Sequence, residues 1–98
     1  MTKIGDRVVA VFESADNIVK IFGEGIYDGD FVPYEAAGNM AKMLSELDMK
    51  NPRIRLDNGK IVYGCECWWS SVDKFKEQTK NMTIVQVDID EMRGKYET

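Results

Sequence analysis

The chain has 98 residues, 44% of them hydrophobic and 31% charged, with a net charge of −4 and no histidine. That length suits one domain with one core, and the lack of a long apolar run excludes a transmembrane helix or a signal-peptide core, so a cytoplasmic protein without membrane contact is expected. The missing histidine removes the commonest metal ligand, the usual general base and every Ser-His or Cys-His pair, while the scattered basic residues argue against a surface for duplex nucleic acid.

Ile4-Gly5-Asp6-Arg7 leads into Val8-Val9-Ala10-Val11-Phe12, apolar on both faces and therefore a well-covered strand. Ser14-Ala15-Asp16-Asn17 is turn chemistry, and Ile18 to Phe22 reads as a second strand. Gly23 to Pro33 holds three glycines in its first seven residues, with Tyr27, Phe31 and the carboxylates Glu24, Asp28 and Asp30. Glycine at this density marks a bend, a bulge or a close approach. A phosphate loop would need a following helix and a nearby lysine, and carboxylates repel phosphate, so a bent strand with Tyr27 and Phe31 as a pocket wall fits better.

Glu35 to Met49 has helical spacing, with Ala36, Ala37, Met40, Met43, Leu44 and Leu47 on one stripe, and Asn51-Pro52 ends it. Core filling is the expected use of Met40 and Met43, an adaptable methionine groove the other. Asn58-Gly59 then lies between strand-type runs and predicts a two-residue type I′ hairpin. That register puts Ile54, Leu56, Ile61, Tyr63, Cys65, Cys67 and Trp69 on a core face. The other face receives Arg53, Arg55, Asp57, Lys60, Val62, Gly64, Glu66 and Trp68. Ser70 or Ser71 caps a short second helix to about Thr79, Thr83 to Ile89 is a last strand, and 90–98 is a polar, frayed tail beyond a single domain of residues 1–89.

The expected fold is α+β: a small SH3-like β-barrel, or a strongly bent antiparallel sheet, of about five strands with one inserted helix and a short second one.

Candidate ligand-binding residues are Tyr27, Asp30, Arg53, Arg55, Glu66 and Trp68. An exposed Trp68 beside arginines is a stacking platform, unless the inserted helix covers that face and buries it. Asp28 and Asp30 suit polar donors, one divalent cation or a solvated turn. Cys65 and Cys67 point the same way on a strand, so reduced thiols are expected. Zinc would need four ligands, which only two copies sharing a site would supply, so no metal or cofactor is expected.

The motifs Gly23-x-Gly25-x-Tyr27-x-Gly29-Asp30-x-Val32-Pro33 and Asn51-Pro52-x-Ile54-x-Leu56-Asp57-x-Gly59-Lys60-x-Val62-x-Gly64-Cys65-Glu66-Cys67-Trp68-Trp69 resemble a small family of bacteriophage and bacterial proteins. The resemblance spans roughly Gly5 to Trp69, with Tyr63 in place of a tryptophan, and carries over no functional residue. It implies a phage-encoded host-takeover or anti-defence factor acting by stoichiometric binding in the host cytoplasm. The sharper expectation is a non-enzymatic protein that sequesters a small nucleotide-type signal. There Trp68 or Tyr27 would stack a base, Arg53 or Arg55 would meet phosphate, and Asp30 or Glu66 would accept from ribose or amino groups. The alternatives are a protein-interaction module on a host enzyme or defence complex, and a carboxylate-dependent hydrolase. Two copies can also share a pocket, since symmetric dimers are common.

Overall fold

The structure, a computed structural model, describes residues 2–36 and 38–96. Its elements are β1 (Arg7–Ala15), β2 (Ile18–Phe31), α1 (Asn39–Glu46), β3 (Asn51–Leu56), β4 (Ile61–Tyr63), β5 (Trp68–Ser71), α2 (Val72–Thr79), β6 (Thr83–Gln86) and α3 (Ile89–Tyr96). One sheet runs β4-β3-β2-β1-β5, with β6 beside the first half of β2. Every pairing is antiparallel except β2 with β6. The fold is therefore α+β, with an open and strongly bent sheet rather than a closed barrel.

The type I′ turn lies in the first hairpin. Asp16 (φ 51°) and Asn17 (φ 66°) form the two-residue loop between Ala15 and Ile18, and both residue types tolerate the left-handed region. The glycine-rich segment continues β2 and bends it. At Gly25 the backbone of β3 comes so close that a Cβ would lie 2.3 Å from the Arg55 carbonyl oxygen. Between Tyr27 and Gly29 the register shifts, leaving Asp28 as a bulged residue.

The second hairpin corrects the expected register. Arg55 pairs with Ile61, Ile54 with Val62 and Arg53 with Tyr63. Leu56 N–H donates to the Lys60 carbonyl (2.8 Å), closing a three-residue loop with Gly59 at φ +88°. This is the bulged alternative to the two-residue turn, and Asn-Gly satisfies both because each needs glycine at the left-handed position. A one-residue slip exchanges the faces of β4. Val62 joins Ile54 and Leu56 in the core, while Tyr63 turns to the side of Arg53. Tyr63 is buried there, and its hydroxyl donates to Glu35 (2.9 Å) in the segment after β2.

The expected single strand through Trp69 is also broken. Glu66 N–H donates to the Tyr63 carbonyl (2.8 Å) in a turn, and the chain crosses to the opposite edge of the sheet, where Trp68 pairs with Val11 and Trp69 with Ala10. The five steps from Tyr63 to Trp68 reach about 17 Å. Four strand spacings in a flat sheet need about 19 Å, so the sheet must curl. The curl brings Trp69 to within 3.2 Å of where a Cβ on Gly64 would sit.

Both faces are covered. Val8, Ala10, Phe22, Ile54, Leu56 and Val62 pack on one side with Ile89 and Met92 of α3. On the other, Val9, Val11, Val19 and Ile21 meet Phe75 and Val72 of α2. Of the two serines expected to cap α2, Ser71 does so by accepting from Lys74 N–H (3.3 Å). The polar tail expected at 90–98 is instead helical through residue 96, and the last strand stops at Gln86. The first helix is shorter than Glu35–Met49 and buries only Ala41 among its residues. Met40 and Met43, expected in the core, are exposed. The sheet is covered by α2 and α3 instead, and Met40 only borders a cavity beside Phe12, Phe22, Ile89 and Met92.

Candidate functional site

The six residues expected to bind a ligand occupy four separate places. Arg53 donates through Nε to Asp28 Oδ2 (3.0 Å), and its guanidinium carbon lies 3.5 Å above the centre of the Phe31 ring. Arg55 stands 3.8 Å from the other oxygen of Asp28. The bulge that frees Asp28 from the ladder thus aims its carboxylate at both arginines. Burial works against the Arg53 charge, but Asp28 and Tyr63 outweigh it and raise its pKa above the ordinary value. A phosphate would have to displace Asp28 from this cluster.

Tyr27 lies on the opposite face, stacked parallel to Trp69 at 6.3 Å, and donates to Asp30 Oδ1 (3.0 Å). That bond raises the Tyr27 pKa. Glu66 is engaged elsewhere. Its two oxygens accept from Nε and Nη2 of Arg93 (2.8 Å each), and Nη2 also donates to the Ile61 carbonyl (2.8 Å). This pair sits beside a cavity of about 200 Å³ walled by Phe12, Phe22, Met40, Cys65, Ile89 and Met92. Burial, reinforced by Glu66, pushes the Cys65 thiol up, and pushes Cys67 up to about 12. Neither thiol is poised as a nucleophile.

Trp68 does stand exposed (63%), so the inserted helix does not bury it. It borders a groove of about 330 Å³ between β5 and α2, floored by Val11, Val19 and Phe75 and edged by Lys74 and Gln78. Arg55 lies on β3 and Trp68 on β5, with β1 and β2 between them in the sheet, and neither arginine lines the groove beside Trp68. Trp68 and the arginines therefore do not share a site.

Sequence reasoning ranked core filling above an adaptable methionine groove at a surface that stands exposed. Five of the eleven large apolar side chains exposed among the described residues fall at Tyr34, Met40, Met43, Leu47 and Met49. Residues 40, 43 and 47 share one helical face. Tyr34 OH donates to Asp48 Oδ1 (2.8 Å), tying the approach of α1 to its exit. Asp48 (φ 54°) ends the helix while Met49 N–H donates back to the Leu44 carbonyl (2.8 Å). Arg93 was missed as well, although Ile89, Met92 and Tyr96 already had helical spacing in the sequence.

Protein-family models, curated proteins and solved structures give no match to this chain. Among the described residues, no three or more His, Cys, Asp or Glu side chains are grouped to hold a metal ion. No helix among the described residues is long and apolar enough to cross a membrane.

Proposed function

We propose that this is a non-enzymatic binding protein that docks a partner protein on the exposed face of α1. One observation carries the reading: an eight-residue helix that buries only Ala41 turns Met40 and Met43 outward, with Leu47 just past its end. A helix this short is marginal in water without tertiary packing, so a covering surface would stabilise it. Methionine adapts to irregular partners. The five apolar residues expose on the order of 500 Å² of surface, a patch size that marks interaction sites. Lys42 and Lys50 balance Glu46 and Asp48 around them, so the partner that fits is an apolar ridge or helix face without strong charge. The phage resemblance makes a host enzyme or defence complex the class of partner to examine.

The test is a photo-crosslinking residue at Met43, with one at Lys76 on α2 as control, in cells carrying the protein. A discrete partner crosslinked from Met43 but not from Lys76, and lost in Met40→Glu without a fall in Tm, supports docking. Equal crosslinking from both positions refutes it.

The sequestration reading keeps one foothold, in the Trp68 groove rather than the arginine face. The exposed indole would stack a base and Lys74 would meet phosphate, in a groove within the size range of ligand sites. Quenching of tryptophan fluorescence by ADP-ribose, abolished in Trp68→Ala, would favour it over docking.

A further inference from the structure

We propose that two copies of this chain associate through β6, paired antiparallel about a two-fold axis at Val85, to extend the sheet across both. In the parallel ladder with β2, Thr83 N–H donates to the Asn17 carbonyl and Val87 N–H to the Ile21 carbonyl (2.8 Å each). Residues 83, 85 and 87 thus turn their backbone groups inward, and Ile84 and Gln86 turn both N–H and C=O outward. All four residues of β6 are exposed, and Ile84 and Val85 count among the exposed large hydrophobics.

Edge strands usually carry a device against pairing, such as a lysine, a proline, a bulge or extreme shortness. β4 has three residues. Thr83-Ile84-Val85-Gln86-Val87 has no charge and no proline, and its pairing with β2 is unbroken. The outward groups fix the register. Ile84 must face Gln86 of the second copy, and Gln86 its Ile84, giving four main-chain hydrogen bonds. Val85 then faces Val85 in a close, non-hydrogen-bonded pair.

The ends of the strand select a second copy over a generic peptide. At the C-terminal end Asp88 and Asp90 share Lys60, leaving one carboxylate in excess. At the N-terminal end Lys80 is only 4.0 Å from Glu77, a loose exposed contact. Antiparallel pairing sets the Lys80 end of each strand beside the acidic end of the other. The contact is small against a standard interface, so a weak dimer is expected, of micromolar dissociation constant or weaker.

Sedimentation velocity across a concentration series reads this directly. The wild-type chain should shift toward dimer as concentration rises. Val85→Glu, which puts like charges across the axis while leaving Lys20 a favourable neighbour within the fold, should remain monomeric. An equimolar mixture of Val85→Glu and Val85→Lys should associate again. Mild oxidation should crosslink Val85→Cys, because a non-hydrogen-bonded pair meets disulfide spacing, and should not crosslink Ile84→Cys. A wild-type chain that stays monomeric at millimolar concentration overturns the proposal. So does a dimer that persists in Val85→Glu, or equal crosslinking at positions 84 and 85.

Discussion

Replacing Arg93 by methionine tests whether the C-terminal segment belongs to the folded domain. The substitution keeps a long unbranched side chain but removes three hydrogen bonds, two to Glu66 and one to the Ile61 carbonyl. Glu66, whose side chain is 7% exposed, is left with the Tyr63 N–H as its partner (3.1 Å). Breaking a buried pair from one side costs about 3–5 kcal/mol, because a desolvated charge is stranded. The Arg93 side chain is itself 13% exposed, so the lower end applies. A loss of about 3 kcal/mol in a domain of this size lowers Tm by roughly 15 °C. Urea unfolding at pH 7, followed by far-UV circular dichroism, gives the free-energy difference. The double variant Glu66→Gln/Arg93→Met removes both charges and should recover to within about 1 kcal/mol of the wild type, since a buried ion pair adds little over neutral side chains of similar size. A loss below about 1 kcal/mol in Arg93→Met alone would mean that α3 is not held against the sheet and that the ion pair does not form.

Gly25→Ala should destabilise by more than about 3 kcal/mol in the same assay, since the clash is with the backbone of β3 and no side chain can move aside. Lys60, helped by the amides of Glu91 and Asp90, holds the Asp88 carboxyl below its ordinary value. Its folded pKa lies below the unfolded one, so the stability it lends is complete above the unfolded pKa and disappears as pH falls through the folded value. NMR titration of Asp88 should show the low midpoint, and Lys60→Ala should move it up and bring acid unfolding to higher pH. Cys67, pushed up to about 12 by burial, should resist alkylation at pH 8 until urea unfolds the chain. Met43→Glu should change stability by less than about 0.5 kcal/mol, because the side chain is exposed; a larger loss by thermal denaturation would place it in the core.

Features whose causes are local were legible in the sequence. Ser71 capping α2, the turn at Asp16-Asn17 and the apolar run of β1 each depend on neighbours within a few residues, and such features carry the α+β class but not the choice between a barrel and an open, bent sheet. The hairpin register was not, because Asn58-Gly59 suits a two-residue and a three-residue loop equally, and only the burial of Val62 against Ile54 decides between them. That slip, with the break at Gly64–Cys67, dispersed the expected site. Trp68 went to one edge, the arginines to Asp28, and Glu66 to a partner 27 residues later in the chain. The tail reads as polar and frayed for the same reason: α3 depends on docking Ile89 and Met92 and on an ion pair that no local pattern announces. Met40 and Met43 were read as core because periodicity tells which residues share a face, not whether that face meets anything.

The position of β6 bears on how the chain reaches its fold. The hairpin of β1 and β2 forms from adjacent residues, but the first half of β2 gains its second neighbour only from residues 83–86, some 65 positions later. During synthesis an apolar strand therefore waits with one side unpaired until nearly the whole chain has emerged. Long-range pairing of this kind slows folding and prolongs exposure to wrong partners. The interval between the making of β2 and the arrival of β6 is thus where a chaperone, or a neighbouring nascent chain, would meet this protein.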